Sequence, residues 1–257
     1  MSGNASLGSL FTESRDAGAL APIDPRIRLV VALLFAVSLA LLSAPLALAA
    51  ALFIAGCAVA VSGLAPSQAL RRMAGVEGFL IMLLITLPFT VPGTLLFSVA
   101  GLSASVEGLG RALILVLRVN AAVLAIMALL GGLGGQRLAG AMAGIGLPPV
   151  LASLLLLTLR YVATFGDEYR RLRVAMRVRG FRAGSNRHTW RSLGHLVGML
   201  LVRSLERAER VRAAMLCRGY NGQFPIEASG SLVTRDWVFL VAALGVIALL
   251  FVVEVLA

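Results

Sequence analysis

The chain contains no lysine. All 23 of its basic residues are arginine, set against 12 acidic residues, and charged side chains make up only 14% of 257 positions. The codon bias of a GC-rich genome accounts for the choice of arginine and for the wealth of Ala, Gly and Leu, so no function is drawn from it. The scarcity of charge says more. A soluble domain of this length cannot hide an apolar share of 59%, which excludes an ordinary soluble protein. Histidine is nearly absent: His188 and His195 are the only two, and no carboxylate is spaced to complete a site with them. Neither a catalytic set nor a transition-metal site made by this chain alone is expected. No phosphate-cradling loop is present either, so the chain is not expected to hydrolyse ATP by itself. Cys57 lies in an apolar run and Cys217 in a basic one. They belong to different levels of the protein, and no disulfide is expected.

What is present is a duplication. RLRVAMRVRGFR, starting at Arg171, returns as RVRAAMLCRGYN, starting at Arg210, and six of the twelve positions are identical. Both copies read Ala-Met-x-x-Arg-Gly-aromatic: Ala175, Met176, Arg179, Gly180 and Phe181, then Ala214, Met215, Arg218, Gly219 and Tyr220. The copies lie in the most basic part of the chain. Residues 160–218 hold 14 arginines and four acids, a net +10 out of +11. Short basic segments remain on the cytoplasmic side of a membrane, so this block is expected there.

Several apolar runs approach the roughly 20 residues that cross a bilayer as helix. Residues 1–25 carry Glu13, Asp16 and Asp24 without an apolar core, and read as a cytoplasmic arm with no cleavable signal peptide. Spans are predicted over residues 27–43, 46–64, 76–102, 112–130 and 236–253. Pro88 and Pro92 should bend or break the third, residues 65–75 read as a connection, and residues 103–110 read as an external loop. Arg118 is expected to snorkel from the fourth span.

After a glycine-rich break at residues 131–135, residues 136–145 could form a short amphipathic piece. Two long helices should follow over residues 149–179 and 191–218. Each shows a stripe at helical spacing, through Leu154, Thr158, Tyr161, Phe165, Tyr169, Leu172 and Met176, and through Leu193, Val197, Leu200, Ser204, Ala208, Val211 and Met215. Two such helices can cross and pack while their cationic faces stay available. The expected fold is an all-α polytopic membrane protein of about five transmembrane helices plus two long cytoplasmic or interfacial coupling helices. Its expected divisions are an arm (1–25), a four-span transmembrane domain (26–130), a coupling domain (131–234) and a last span (235–257).

The Arg-Gly helix ends carry the most specific chemistry. A helix C-terminus leaves carbonyls unpaired, and Gly at the next position can turn left-handed to end it. Arginine in the last turn complements the dipole, and its planar fork grips a carboxylate through two hydrogen bonds. Met176 and Met215 add soft apolar contacts, and Phe181 and Tyr220 can add aromatic anchors. Two similar cationic ends suggest two similar acidic acceptors. Ala175, Met176, Arg179, Gly180, Ala214, Met215, Arg218 and Gly219 are therefore the expected partner-binding residues.

These residues resemble the transmembrane T component of energy-coupling factor transporters, and most closely the CbiQ family of cobalt and nickel importers. Carrying the resemblance are Asp24-Pro25-Arg26, Gly146-Leu147-Pro148, Leu159-Arg160-Tyr161, Glu168, Ala175 and Arg179-Gly180, then Arg207-Ala208-Glu209-Arg210-Val211, Ala214-Met215 and Arg218-Gly219-Tyr220. The family pattern is Ala-Arg-Gly, and this chain departs from it with Val178 and Cys217. The resemblance implies a multi-pass subunit of the cell (inner) membrane that bridges two cytoplasmic ABC ATPase subunits and a membrane substrate-binding subunit. ATP and Mg would be bound by the ATPases, cobalt or nickel by the substrate subunit, and no cofactor by this chain. Alternatives are the membrane subunit of another ABC-type importer, such as a vitamin transporter, or an interfacial enzyme acting on anionic lipid. Nucleic-acid binding is not expected, since topology and docking account for the arginines.

Overall fold

The computed structural model describes residues 20–63, 66–91, 94–99, 102–220 and 232–256. The N-terminal arm lies outside them. The described part divides into two compact units, residues 134–220 and residues 20–133 with 232–256. The second unit contains α1 (Pro25–Leu41), α2 (Pro45–Val61), α3 (Pro66–Thr90), a hairpin of β1 (Leu95–Val99) and β2 (Leu102–Ser105), α4 (Val106–Leu130) and α8 (Thr234–Leu256). The first contains α5 (Gly135–Gly144), α6 (Pro149–Val178) and α7 (Arg187–Cys217). The chain is an all-α polytopic membrane protein, and among the described residues its only strands are those of that short antiparallel hairpin. Among the described residues four helices are long and apolar enough to cross a membrane: Met73–Thr90 within α3, α4, α6 and α8. With 17 residues each, α1 and α2 reach about 25 Å, the lower limit for spanning.

Small residues set the packing of this unit. Ala47, Ala51 and Ala55 of α2 recur every fourth residue and are at most 2% exposed. Ala121 and Ala125 of α4 are buried in the same cluster. Ladders of this kind let helix backbones approach closely in a medium where burial alone gives little drive. Phe35, Leu39, Leu42, Leu48 and Leu250 fill the rest of the cluster.

Polar side chains close the helix ends. The Asp24 carboxylate accepts from Arg26 N at 2.8 Å, with Pro25 in the first turn of α1. Arg28, 2% exposed, donates from Nε to the Leu129 carbonyl at the end of α4. Two carboxylates of α8 reach back to the chain's beginning. Asp236 accepts from Asp24 N at 2.9 Å, and Glu254 accepts from Ser43 N, Ser43 Oγ and Ala44 N at 2.8, 2.6 and 2.9 Å. Arg118 does not snorkel; it donates to the Leu42 carbonyl at the end of α1. A carbonyl with no remaining helical partner offers that guanidinium a protein contact in place of a lipid headgroup.

Three expected boundaries are corrected. Residues 65–75 do not form a connection, because α3 begins at Pro66 and runs through Arg71 and Arg72. Pro88 sits inside α3, which ends at Thr90, the hairpin strands begin at Leu95 and Leu102, and Pro92 lies outside the described residues. The expected external loop at residues 103–110 is β2 and the first turn of α4 instead. Ser105 is the reason: its hydroxyl accepts from Gly108 N at 3.1 Å and donates to the Val91 carbonyl at 2.5 Å, which starts α4 early and ties it to the end of α3.

At Gly108 the two helices meet with no room to spare. A Cβ there would lie 2.7 Å from both the Leu87 carbonyl oxygen and the Pro88 Cα. Gly108→Ala should therefore cost about 1–3 kcal/mol through forced backbone separation. Gly110→Ala, which meets nothing within 4 Å, should be neutral or stabilise by up to about 1 kcal/mol. Thermal unfolding of the two purified variants in detergent checks this, and equal midpoints would remove the close approach as an explanation.

Candidate functional site

Unit 134–220 is a three-helix arrangement with little interior. Pro149 opens α6, and Gly135 of α5 lies against Leu159, to which an added Cβ would come within 3.1 Å. Asn186 caps α7 by accepting from Thr189 N at 2.9 Å, so this helix starts at Arg187, four residues earlier than expected. An ion pair between Glu168 and Arg203 joins α6 to α7. On one side of it lies an apolar crevice of about 540 Å³, lined by Leu154, Tyr161 and Phe165 of α6 and by Ala208, Val211 and Met215 of α7. On the other lies a polar crevice of about 630 Å³.

The predicted stripes line the apolar crevice from Leu154 to Phe165 and from Ser204 to Met215, while Leu172 and Met176 line the polar one, and the second stripe fails over the first half of α7. There Leu193 and Val197 are exposed, while Leu196, at 6%, is buried. The inward face is rotated by about one residue. It presents His188, Ser192, His195 and Met199 to the polar crevice.

The two Arg-Gly ends close with the same motif. Gly180 has φ +83° and Gly219 φ +80°, both left-handed. Gly180 N donates to the Arg177 carbonyl and Phe181 N to the Met176 carbonyl, each at 3.0 Å. Gly219 N and Tyr220 N repeat this with the Leu216 and Met215 carbonyls, also at 3.0 Å. This is the Schellman motif, which satisfies the last carbonyls through the backbone alone. The arginines are thereby released from capping. Arg179 and Arg218 are exposed, and among the described residues their side chains make neither ion pair nor hydrogen bond. Their neighbours differ in this respect: Arg170 pairs with Asp167 and Arg210 with Glu206 along their own helices. Ala175 and Ala214 are exposed, Met176 and Met215 half-buried, and Val178 is 83% exposed.

The structure thus gathers the eight sequence-predicted residues into two separate, equivalent ends. No group of three or more His, Cys, Asp or Glu close enough to hold a metal occurs among the described residues. Sequence reasoning set His188 and His195 aside as an incomplete metal site. The signal for their shared face was the spacing of 188, 192 and 195 on one helix.

The chain combines a polytopic helical body with an exposed, duplicated cationic unit. Residues 19–227 match the family model described as CbiQ, cobalt transport protein, and the chain belongs to that family. It is also 29% identical over 80 residues to the uncharacterized protein MJ1089 of Methanocaldococcus jannaschii, a stretch covering 31% of this chain. The chain matches that curated relative over 30% of the relative's length.

The left-handed glycines have a direct test. No atom lies within 4 Å of a Cβ added at Gly180 or Gly219, so the cost of Gly→Ala is conformational, about 1–2 kcal/mol at each end. Amide hydrogen exchange in the last turn of α6 or α7 should speed up about tenfold in the matching variant and stay unchanged at the other end.

Proposed function

We propose that this chain is the coupling subunit of an energy-coupling factor type cobalt importer. Each Arg-Gly end docks on one of two cytoplasmic ABC ATPase subunits. The observation that carries this reading is the pair of helix ends closed by the same motif, each with its arginine exposed and, among the described residues, unpaired, in a chain of the cobalt transport family. Arg179 and Arg218 each hold a carboxylate of one ATPase. Ala175 and Ala214 permit close approach, and Met176 and Met215 supply adaptable apolar contact. Gly180 and Gly219 keep the helix ends short.

The chain itself is not an enzyme. ATP and Mg are bound by the ATPases. Cobalt, or nickel, is the cargo, recognised by a separate substrate-binding membrane subunit. Closing of the ATPase pair on ATP moves α6 and α7, and that motion reorients the substrate subunit. The protein lies in the cell inner membrane with the basic block in the cytoplasm, a side that the clustering of arginine favours.

Removing one arginine leaves a partly buried acid unpaired on the partner, at a cost of about 2–5 kcal/mol. Arg179→Ala and Arg218→Ala should each weaken ATPase co-purification from detergent and metal uptake in cells, and the double variant should abolish both. Arg→Lys should rescue poorly, because lysine lacks the two-pronged contact. Arg187→Ala, outside both repeats, should be nearly silent. Full assembly and full uptake by the double variant would reduce the helix ends to ordinary caps. Topology has its own check: Ser185→Cys in intact cells should resist an impermeant thiol reagent, and labelling from outside would place the block on the wrong side.

A further inference from the structure

The two helix ends are alike in backbone and unlike in surroundings. Met215, at the second end, borders the apolar crevice with Leu154, Tyr161 and Phe165. At the first end, Met176, Arg179 and Phe181 form one wall of the polar crevice, and His188, Ser192 and His195 form the facing wall. Positions 188, 192 and 195 share one face of α7 at helical spacing, so all three polar groups point the same way. The titratable residues lining the crevice are Arg179, His188, His195 and Arg203, and none is a carboxylate. Arg203 is neutralised by Glu168. The available positive charge and N–H donors therefore lie at the mouth, on Arg179 and the imidazoles, while Leu172, Leu196 and Met199 make the lining apolar. At about 630 Å³ the cleft falls within the range that holds a ligand-sized group.

We propose that this cleft is a receptor for an acidic segment of the ATPase subunit docked at the first helix end, a segment that places a carboxylate beside an apolar side chain. The inference rests on the docking reading above and goes beyond it, because it makes the two docking sites unequal. Charge complementarity selects the occupant. A carboxylate can accept from Arg179 and from an imidazole N–H, with the Ser192 hydroxyl as a further donor. The apolar side chain beside it fills the space between Met176, Met199 and Leu196, where flexible thioethers adapt to its shape. The cleft is continuous with Arg179, so one segment of the partner can engage both. The crevice beside the second end carries Arg207 and Arg212 but no imidazole, so the two sites differ in the donors they offer.

The test uses the full chain assembled with its ATPase pair. In a background of Cys57→Ser and Cys217→Ser, single cysteines are placed at Ser192, in the cleft, and at Ala214, at the second helix end. Maleimide labelling is timed in detergent with and without the co-purified ATPases. Assembly should slow labelling at both positions at least about tenfold. Adding His188→Glu with His195→Glu should restore fast labelling at position 192 and leave position 214 protected, because like charges then face each other. His188→Gln with His195→Gln should keep both protected. Protection at position 214 without protection at 192 would overturn the cleft and leave docking intact. No protection at either position would overturn the docking reading and the cleft with it. Equal behaviour of the Glu and Gln pairs would overturn the acidic occupant.

Discussion

Every helix ends in backbone groups that have lost their partners, and inside a bilayer water cannot supply new ones. Most of what distinguishes the two units follows from how each meets that constraint. In the membrane unit side chains do it. Asp24, Arg28, Arg118, Asp236 and Glu254 each bond a backbone N–H or carbonyl at or beside a helix end. A charged residue used in this way is unavailable for anything else. In the unit spanning residues 134–220, the ends of α6 and α7 close on themselves through left-handed glycine, and the arginine beside each is left exposed. Arg28 and Arg118 are structural in one unit, whereas Arg179 and Arg218 stand exposed in the other.

Packing follows the same division. Buried alanines bring α2 and α4 together without large side chains, and Gly108 lets α4 touch the backbone of α3. Such contacts tolerate little displacement. By contrast α6 and α7 are joined by the Glu168–Arg203 pair with an open crevice on each side of it. Two helices held through one exposed ion pair can change their crossing at small energetic cost. The proposed coupling role asks for such a change of crossing between α6 and α7.

Legibility tracked the strength of the local signal. Long apolar runs and prolines at the first turn placed α1, α2, α4, α6 and α8 to within a few residues at most ends, and the duplicated Ala-Met-x-x-Arg-Gly pattern located both turns of the site. The errors lay where a single side chain overrode the pattern. Gly108 and Gly110 read as loop, but Ser105 caps a helix that runs through them. Asn186 does the same for α7. Pro88 and Pro92 were expected to bend or break the third stretch, and α3 ends at Thr90, two residues after Pro88. The inward face of α7 was misplaced because its first half follows a cleft lined by imidazole and hydroxyl groups, which a search for apolar periodicity passes over.

The membrane unit is discontinuous in sequence: residues 20–133 supply most of it, and residues 232–256 return to complete it after the intervening unit. Synthesis runs from the N-terminus and domains tend to fold as they emerge. The intervening unit is therefore made while the membrane body still lacks α8, and the backbone groups of Asp24, Ser43 and Ala44 wait for Asp236 and Glu254 to arrive more than two hundred residues later. Insertion of the last helix becomes the step that commits the subunit to its final form. A nascent chain truncated before α8 would present open helix ends to the membrane, the kind of defect that quality-control proteases recognise.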